Sequence, residues 1–284
     1  MIVVTGASGQ LGRLVIQNLL KQIPAREIIA AVRNPEKVQD LATLGVQVRL
    51  ADYERPETLK AAFQGADKLL LISSSEVGKR YPQHKAVIDA AKAAGVKLLA
   101  YTSILRAETS PLGLAAEHRD TEAYLKASGV PHVLLRNGWY TQNYTGSIPG
   151  ALQHGALLGS AGDGRIASAA RADYAEAAVA VLLKADQAGK VYELGGDEAY
   201  TLADLAAEVS RQTGKAIAYR NVPEAEYKAV LLGVGLPEGL AHLLADSDTG
   251  ASQGGLFDDT HTLSQLIGRP TTPLSTLVAE ALAG

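Results

Sequence analysis

The chain has no cysteine among its 284 residues. That excludes disulfides, thiolate metal sites and cysteine nucleophiles together, and it fits a reducing compartment. Aromatic residues are scarce, at 5%, with two phenylalanines and one tryptophan beside 11 tyrosines, so aliphatic side chains must fill the interior. Neither sign of charge dominates: 27 Lys and Arg against 30 Asp and Glu leave a net charge of −3. Without a basic surplus or a basic stripe, nucleic acid is not an expected partner. No apolar run approaches the roughly 20 residues of a membrane span. The opening Met1-Ile2-Val3-Val4-Thr5-Gly6 runs straight into a strand and a glycine loop, without the basic region and cleavage site of a leader. A cytoplasmic protein that does not enter a membrane is expected. No Gly-x-Ser-x-Gly elbow, P-loop or histidine-rich cluster is found.

What is present is a large potential core, since 47% of the residues are hydrophobic and only 20% charged. In the first half, short β-rich runs alternate with helical patterns. The strands fall at residues 2–4, 28–32, 46–50, 68–72, 97–101 and 133–135, and their continuous apolar character suits strands covered on both faces. Helices are expected after the first glycines, where Leu11, Leu14, Val15 and Leu19 recur, near Leu59, over 83–94 and over 117–126. Glycines crowd residues 146–164, which read as a connecting loop and an excursion into a smaller lobe. A helix at 174–183 and a strand at 191–194 return to the main sheet. The remainder is mostly helical, with a weak β run at 216–219. The expected fold is α/β, a doubly wound parallel sheet with a smaller, mostly helical C-terminal domain. Residues 1–145 form the first domain, joined by 165–194, and 146–284 the second, on the substrate side.

The run Gly6-Ala7-Ser8-Gly9-Gln10-Leu11-Gly12 lies between a strand and a helix. In that place the first glycine permits the tight turn, the second lets backbone approach a pyrophosphate, and the third lets the helix lie against the sheet. The helix then turns its free N–H groups and positive dipole end to the phosphates. This is the Rossmann arrangement for a dinucleotide. At the end of the second strand, where an acid would hold the ribose of NAD, the chain has Arg33-Asn34-Pro35. A guanidinium there pairs with a 2′-phosphate and cannot accept from a 2′-hydroxyl, which favours NADP(H). Asp52 could accept from an adenine amine or be an ordinary loop acid. Ser73-Ser74-Ser75 follows the fourth strand, where small hydroxyl residues let the nicotinamide half pass close to the backbone while donating hydrogen bonds.

The Tyr-x-x-x-Lys proton relay of short-chain dehydrogenases is missing after the fifth strand. Its spacing occurs only at Tyr81 and Lys85, ahead of that strand, as a coincidence. Alcohol chemistry, epimerisation and dehydration therefore lack their usual acid. His118 and Glu122 share a helix face and read as a surface or packing pair rather than a metal fragment. After the sixth strand, Asn137-Gly138-Trp139-Tyr140-Thr141-Gln142 sets aromatic faces beside amides. These suit a planar ligand, or equally the packing of a seam between lobes.

These segments, with Val32-Arg33-Asn34-Pro35, Leu69 to Gly78, Gly254-Gly255-Leu256-Phe257-Asp258-Asp259 and Leu266-Ile267-Gly268-Arg269-Pro270, resemble the bacterial NAD(P)H:quinone oxidoreductase type 2 family. That family lies in the NmrA-like branch of atypical short-chain dehydrogenases, beside triphenylmethane reductase. The resemblance runs over essentially the whole chain. It implies a Rossmann domain with a small C-terminal domain, phosphates on Gly6, Ala7, Ser8, Gly9, Gln10 and Leu11, and the 2′-phosphate on Arg33. It implies the nicotinamide against Ser73, Ser74 and Ser75 and against Asn137, Gly138, Trp139, Tyr140, Thr141 and Gln142. The implied activity is direct hydride transfer to a small planar acceptor such as a quinone, without flavin or metal; a conjugated dye is another such acceptor. The alternative is an NmrA-like NADP(H)-sensing regulatory protein that binds without turnover. A homodimer is among the assemblies left open. Ser8 stands where relatives often have threonine and keeps the hydroxyl.

Overall fold

The structure is a computed structural model describing residues 1–284. In chain order the first elements are β1 (Ile2–Thr5), α1 (Gln10–Leu20), β2 (Ile28–Val32), α2 (Gln39–Thr43), β3 (Gln47–Leu50), α3 (Pro56–Ala62), β4 (Lys68–Leu71) and α4 (Arg80–Ala93). Then come β5 (Leu98–Ile104), α5 (Ala115–Ser128), β6 (His132–Asn137), α6 (Gln142–Thr145), α7 (Ile148–His154), β7 (Ala156–Gly159), α8 (Arg171–Leu183) and β8 (Val191–Leu194). The chain finishes with α9 (Leu202–Thr213), β9 (Ala218–Asn221), α10 (Glu224–Gly233), α11 (Glu238–Ser252), α12 (Thr262–Ile267) and α13 (Leu274–Ala283).

Two compact units are formed. The first comprises residues 1–104, 116–137 and 171–192; the second comprises 105–115, 138–170 and 193–284. The main sheet has the order β3-β2-β1-β4-β5-β6-β8. The pairings from β3 across to β6 are parallel. The order reverses between β1 and β4, the switch point at which such sheets bind ligands beyond their carboxyl ends. The apolar runs Ile2-Val3-Val4, Ile28 to Val32 and Leu69-Leu70-Leu71 are buried, as strands covered on both faces must be. On α1 the buried residues are Leu11, Gly12, Val15, Ile16 and Leu19, one helical stripe laid against the sheet. A core of Val3, Ile29, Leu59, Phe63, Leu69, Leu71, Val87, Ile88, Leu99 and Tyr101 fills the first unit. Each fully buried aliphatic side chain there contributes about 1.5–3 kcal/mol relative to exposure.

The second unit is mostly helical, with a small parallel sheet of β7 and β9 registered from Ala156 on Ala218 to Gly159 on Asn221. This corrects the reading of 146–164 as loop. Within that stretch lie α7 and β7, and its glycines serve other ends. Gly155 closes α7 in the left-handed region at φ 70°. At Gly159 a Cβ would come within 2.7 Å of both Asp248 Oδ2 and Leu202 Cδ1. No helix of the chain is long and apolar enough to cross a membrane.

Candidate functional site

At the mouth of the glycine loop, Gly6 has φ +59° and its carbonyl accepts from Gly9 N–H at 2.9 Å, closing the turn. Gly12 is required sterically: a Cβ there would lie 2.5 Å from Gly6 O and 2.7 Å from Ala7 Cα, both unyielding backbone atoms. The helix that follows begins at Gly9 with no side-chain cap and no acidic residue in its first turn. Its positive end is thus left to a ligand rather than neutralised from within. This is what a pyrophosphate requires, and the residues present fit a dinucleotide.

The neighbouring exit of β4 is treated in the opposite way, because its first three amides are satisfied by side chains. Ile72 N–H donates to Thr5 Oγ1 at 3.1 Å, and Thr5 returns its proton to Leu70 O. Ser73 N–H donates to Thr102 Oγ1 at 2.8 Å, and Ser74 N–H to His84 Nε2 at 2.9 Å. Thr5 from β1 and Thr102 from β5 thereby continue the strand ladders one step past the last backbone pair. Of the three serines only Ser74 turns its hydroxyl inward, accepting from Glu76 N–H at 3.1 Å.

Arg33, at the carboxyl end of β2, has a side chain 68% exposed, with Nη1 2.7 Å from Glu76 Oε1. That bond, ahead of a burial cost, holds the Glu76 carboxyl below its ordinary pKa. Lys79 pairs with Glu54 at 3.0 Å and approaches Glu76 at 3.7 Å. Asp52 takes the role of a turn residue, its Oδ1 accepting from Glu54 N–H at 3.1 Å. Beside it Tyr53 reaches Ile72 O at 3.4 Å, and burial pushes its phenol up to about 12.

Behind the serines lies a buried polar layer. Tyr101 OH is 2.7 Å from His118 Nδ1, and His84 Nδ1 is 3.0 Å from Thr121 Oγ1. The Glu117 carboxylate accepts from Gly78 and Arg80 N–H, each at 3.0 Å, at the start of α4. Burial, helped by the Arg80 charge, drops His84 to about 3 and holds His118 neutral as well. His118 and Glu122 do not form the surface or packing pair read from their spacing. Glu122 instead takes Ser103 Oγ at 2.5 Å and both Nε and Nη2 of Arg136, at 3.0 and 2.5 Å, in a buried ion pair. The helix face they share is turned to the sheet, where His118 meets Tyr101 of β5 and Glu122 meets Ser103 of β5 and Arg136 of β6. Tyr81 and Lys85 both lie on α4; Tyr81 packs edge-on to Tyr124 and Lys85 pairs with Asp89, so their spacing carries no chemistry.

The structure thus sets Gly6 to Leu11, Arg33 and Ser73 to Ser75 at the carboxyl ends of β1, β2 and β4 of one sheet. Asn137 stands at the carboxyl end of β6, its Oδ1 buried without a hydrogen-bond partner. Gly138 to Gln142 belong to the second unit. There Gly138 N–H donates to Leu194 O at 2.8 Å, and Trp139 O and Thr141 N–H pair with Ala169 at 3.0 Å each. Thr141 Oγ1 lies 2.7 Å from Ser168 Oγ, which lies 2.6 Å from Tyr200 OH. Glu76, Tyr53, Arg80 and His84 were missed from sequence. Only Glu76 carried a signal, an acid closely following the serine run.

A parallel sheet reversing beside a glycine turn, with a bare helix end and a cation one strand over, defines a dinucleotide-binding protein of the doubly wound class. Residues 6–185 match the NAD(P)H-binding family model, and the chain belongs to that family. It is 61% identical over 279 residues to Quinone oxidoreductase 2 of Escherichia coli (strain K12), covering 98% of both chains. The crystal structure of the NADPH-dependent quinone oxidoreductase QOR2 of Escherichia coli complexed with NADPH matches with a TM-score of 0.97 at 60% identity, covering 99% of this chain and 100% of that one. The Citrobacter sp. triphenylmethane reductase complexed with NADP(H) matches with a TM-score of 0.95 at 40% identity, over 99% and 100% of the two chains.

Proposed function

We propose that the protein is an NADPH-dependent quinone reductase that works without flavin. The observation that carries this reading is a complete dinucleotide edge in a chain 61% identical, over nearly its full length, to a quinone oxidoreductase. The α1 amides beside Gly6 to Leu11 receive the pyrophosphate, and Arg33 receives the 2′-phosphate. The Ser73 and Ser75 hydroxyls, which have no partner within the chain, and Asn137 at the end of β6 receive the nicotinamide half. When bound, the nicotinamide supplies a hydride. The chain's own contribution is orientation, because a quinone accepts hydride readily and its reduced oxygen takes a proton from water.

The test is a steady-state assay of the purified protein, shown free of flavin by its absorption spectrum, with NADPH and a panel of simple quinones. Turnover faster with NADPH than with NADH is expected. Tight NADPH binding with no oxidation by any quinone would overturn the enzymatic reading in favour of a sensor that binds without turnover. A kcat/KM far higher for conjugated dyes than for quinones would reassign the acceptor.

A further inference from the structure

Ser74 is held at three atoms. Its N–H donates to His84 Nε2 at 2.9 Å, its carbonyl accepts from Arg80 Nε at 2.6 Å, and its hydroxyl accepts from Glu76 N–H at 3.1 Å. Both backbone groups of Ser74 are spent and its hydroxyl is tied to the chain, whereas the hydroxyls on either side of it are uncommitted. Ser74 is therefore the anchor of this loop, and Ser73 and Ser75 are the residues it presents.

Only one arrangement of protons satisfies the contacts. A backbone N–H can only donate, so His84 Nε2 must be bare. On the other side of the ring, Thr121 Oγ1 lies 3.0 Å from Nδ1 and gives its own proton to Glu117 O at 2.8 Å. Thr121 therefore accepts, and the histidine proton sits on Nδ1. His84 is fully buried and Arg80 is 7% exposed, so neither ring nor guanidinium is free to swing.

From this geometry we propose that His84 is a positioning residue for the dinucleotide: as the Nδ1–H tautomer fixed by Thr121, it sets Ser74 so that Ser73 and Ser75 meet the nicotinamide half, with Arg80 bracing the following peptide through the Ser74 carbonyl. The proposal rests on the dinucleotide reading above and deepens it. A binding constellation keeps its contacts only when it is held to within about 0.5 Å, so a loop freed at this anchor should hold the nicotinamide half less tightly.

Two substitutions separate the anchor from mere packing. In His84→Gln the terminal amide reaches about as far as Nε2 and can still accept from Ser74 N–H. In His84→Asn the shorter amide stays at the level of Nδ1, beside Thr121, and leaves Ser74 N–H unpaired. The assay follows KM for NADPH and kcat with 1,4-benzoquinone, together with the thermal midpoint. His84→Gln should hold KM within about threefold of wild type, and His84→Asn should raise it about tenfold or more with a smaller change in kcat. Equal KM values for the two variants would overturn the proposal. Should both fold poorly, the wild-type protein decides by long-range 1H–15N correlation of the His84 ring. A protonated Nδ1 with a bare Nε2 is expected, and a proton on Nε2 would overturn the assignment. Failure of the wild-type protein to bind NADPH would instead remove the dinucleotide reading itself, so the two outcomes are distinct.

Discussion

Replacing Arg33 with alanine should weaken NADPH and leave NADH almost untouched, and the structure allows the size of the effect to be worked out. A hydrogen bond between charged partners is worth about 1.5–3 kcal/mol net. The guanidinium is not idle in the free protein, however, since Nη1 lies 2.7 Å from Glu76 Oε1. With the arginine 68% exposed, that pair is worth only about 0.5 kcal/mol, and exchanging it for a phosphate offsets the gain by the same amount. The net loss on removing Arg33 is then about 1–2.5 kcal/mol, or roughly 5- to 70-fold in Kd for NADPH. NADH lacks the 2′-phosphate and should change by less than about twofold. Arg33→Ala also uncovers the Glu76 carboxylate beside the incoming dianion, so adding Glu76→Gln should restore part of the lost affinity. Arg33→Lys keeps the charge but not the planar fork, and should fall between wild type and alanine.

The assay is titration calorimetry with both cofactors at one fixed ionic strength, because a pair this exposed is screened over about 8 Å at physiological salt. A Kd ratio between NADPH and NADH that is unchanged in Arg33→Ala would refute the phosphate role outright. A ratio that shifts while Glu76→Gln restores nothing would show that Glu76 does not compete for the guanidinium.

Three further outcomes follow from the packing and the buried charges. Gly12→Ala must move backbone, since its Cβ would stand 2.5 Å from Gly6 O; a destabilisation of about 1–3 kcal/mol by chemical denaturation and a loss of NADPH affinity are expected, and wild-type values for both would refute the close approach. Glu122→Ala strands the Arg136 guanidinium in a site where the two side chains are 7% and 11% exposed, so about 3–5 kcal/mol should be lost in urea denaturation; a loss below about 1 kcal/mol would mean that water reaches the pair. Asp248 accepts from Tyr144 OH and Ser160 N–H, each at 3.0 Å, yet burial outweighs both bonds and lifts its carboxyl to about 6. The native state then holds this proton more tightly than the unfolded chain between pH about 4 and 6, so its contribution to stability is present at low pH and lost as pH rises through that window, by about 3 kcal/mol. The stability difference between wild type and Asp248→Asn should carry that pH dependence, and a flat difference would refute it.

The parts of the molecule legible in the sequence are those where one local signal decides the structure. Ile28 to Val32 could only be a strand covered on both faces, and a glycine run between a strand and an amphipathic stripe could only be a turn onto a helix. β5 runs three residues further than expected, to Ile104, because Thr102 and Ser103 look like loop residues until their hydroxyls are seen serving Ser73 N–H and Glu122. The 146–164 stretch misled for the same reason. Its glycines signal breaks, but Gly155 caps a helix and Gly159 makes room inside a strand. His84 and Arg80 lay beyond reach, and Glu76 offered no more than its place after the serines, because their meaning is tertiary: Glu76 finds Arg33 43 positions away, and His84 finds Thr121 37 away. Spacing alone put His118 and Glu122 on one face, and it could not say that two different strands wait there.

The two neighbouring exits of the sheet divide the work by how they treat backbone amides. After β1, the start of α1 keeps its N–H groups uncapped and admits no acid to its first turn, which concentrates positive potential where a pyrophosphate would lie. After β4, the amides of Ile72, Ser73 and Ser74 are each consumed by a side chain, Thr5, Thr102 and His84 in turn. Under the proposed function the second exit faces the ring that becomes cationic on giving up its hydride, and bare amide dipoles aimed at it would oppose that change. Saturating these three from β1, β5 and α4 brings forward the rotatable Ser73 and Ser75 hydroxyls, which can turn an oxygen lone pair toward positive charge. A loop of serines beside a neutral buried histidine is therefore the electrostatic complement of the glycine loop one strand away, and the two together point the dinucleotide in a single direction along the edge.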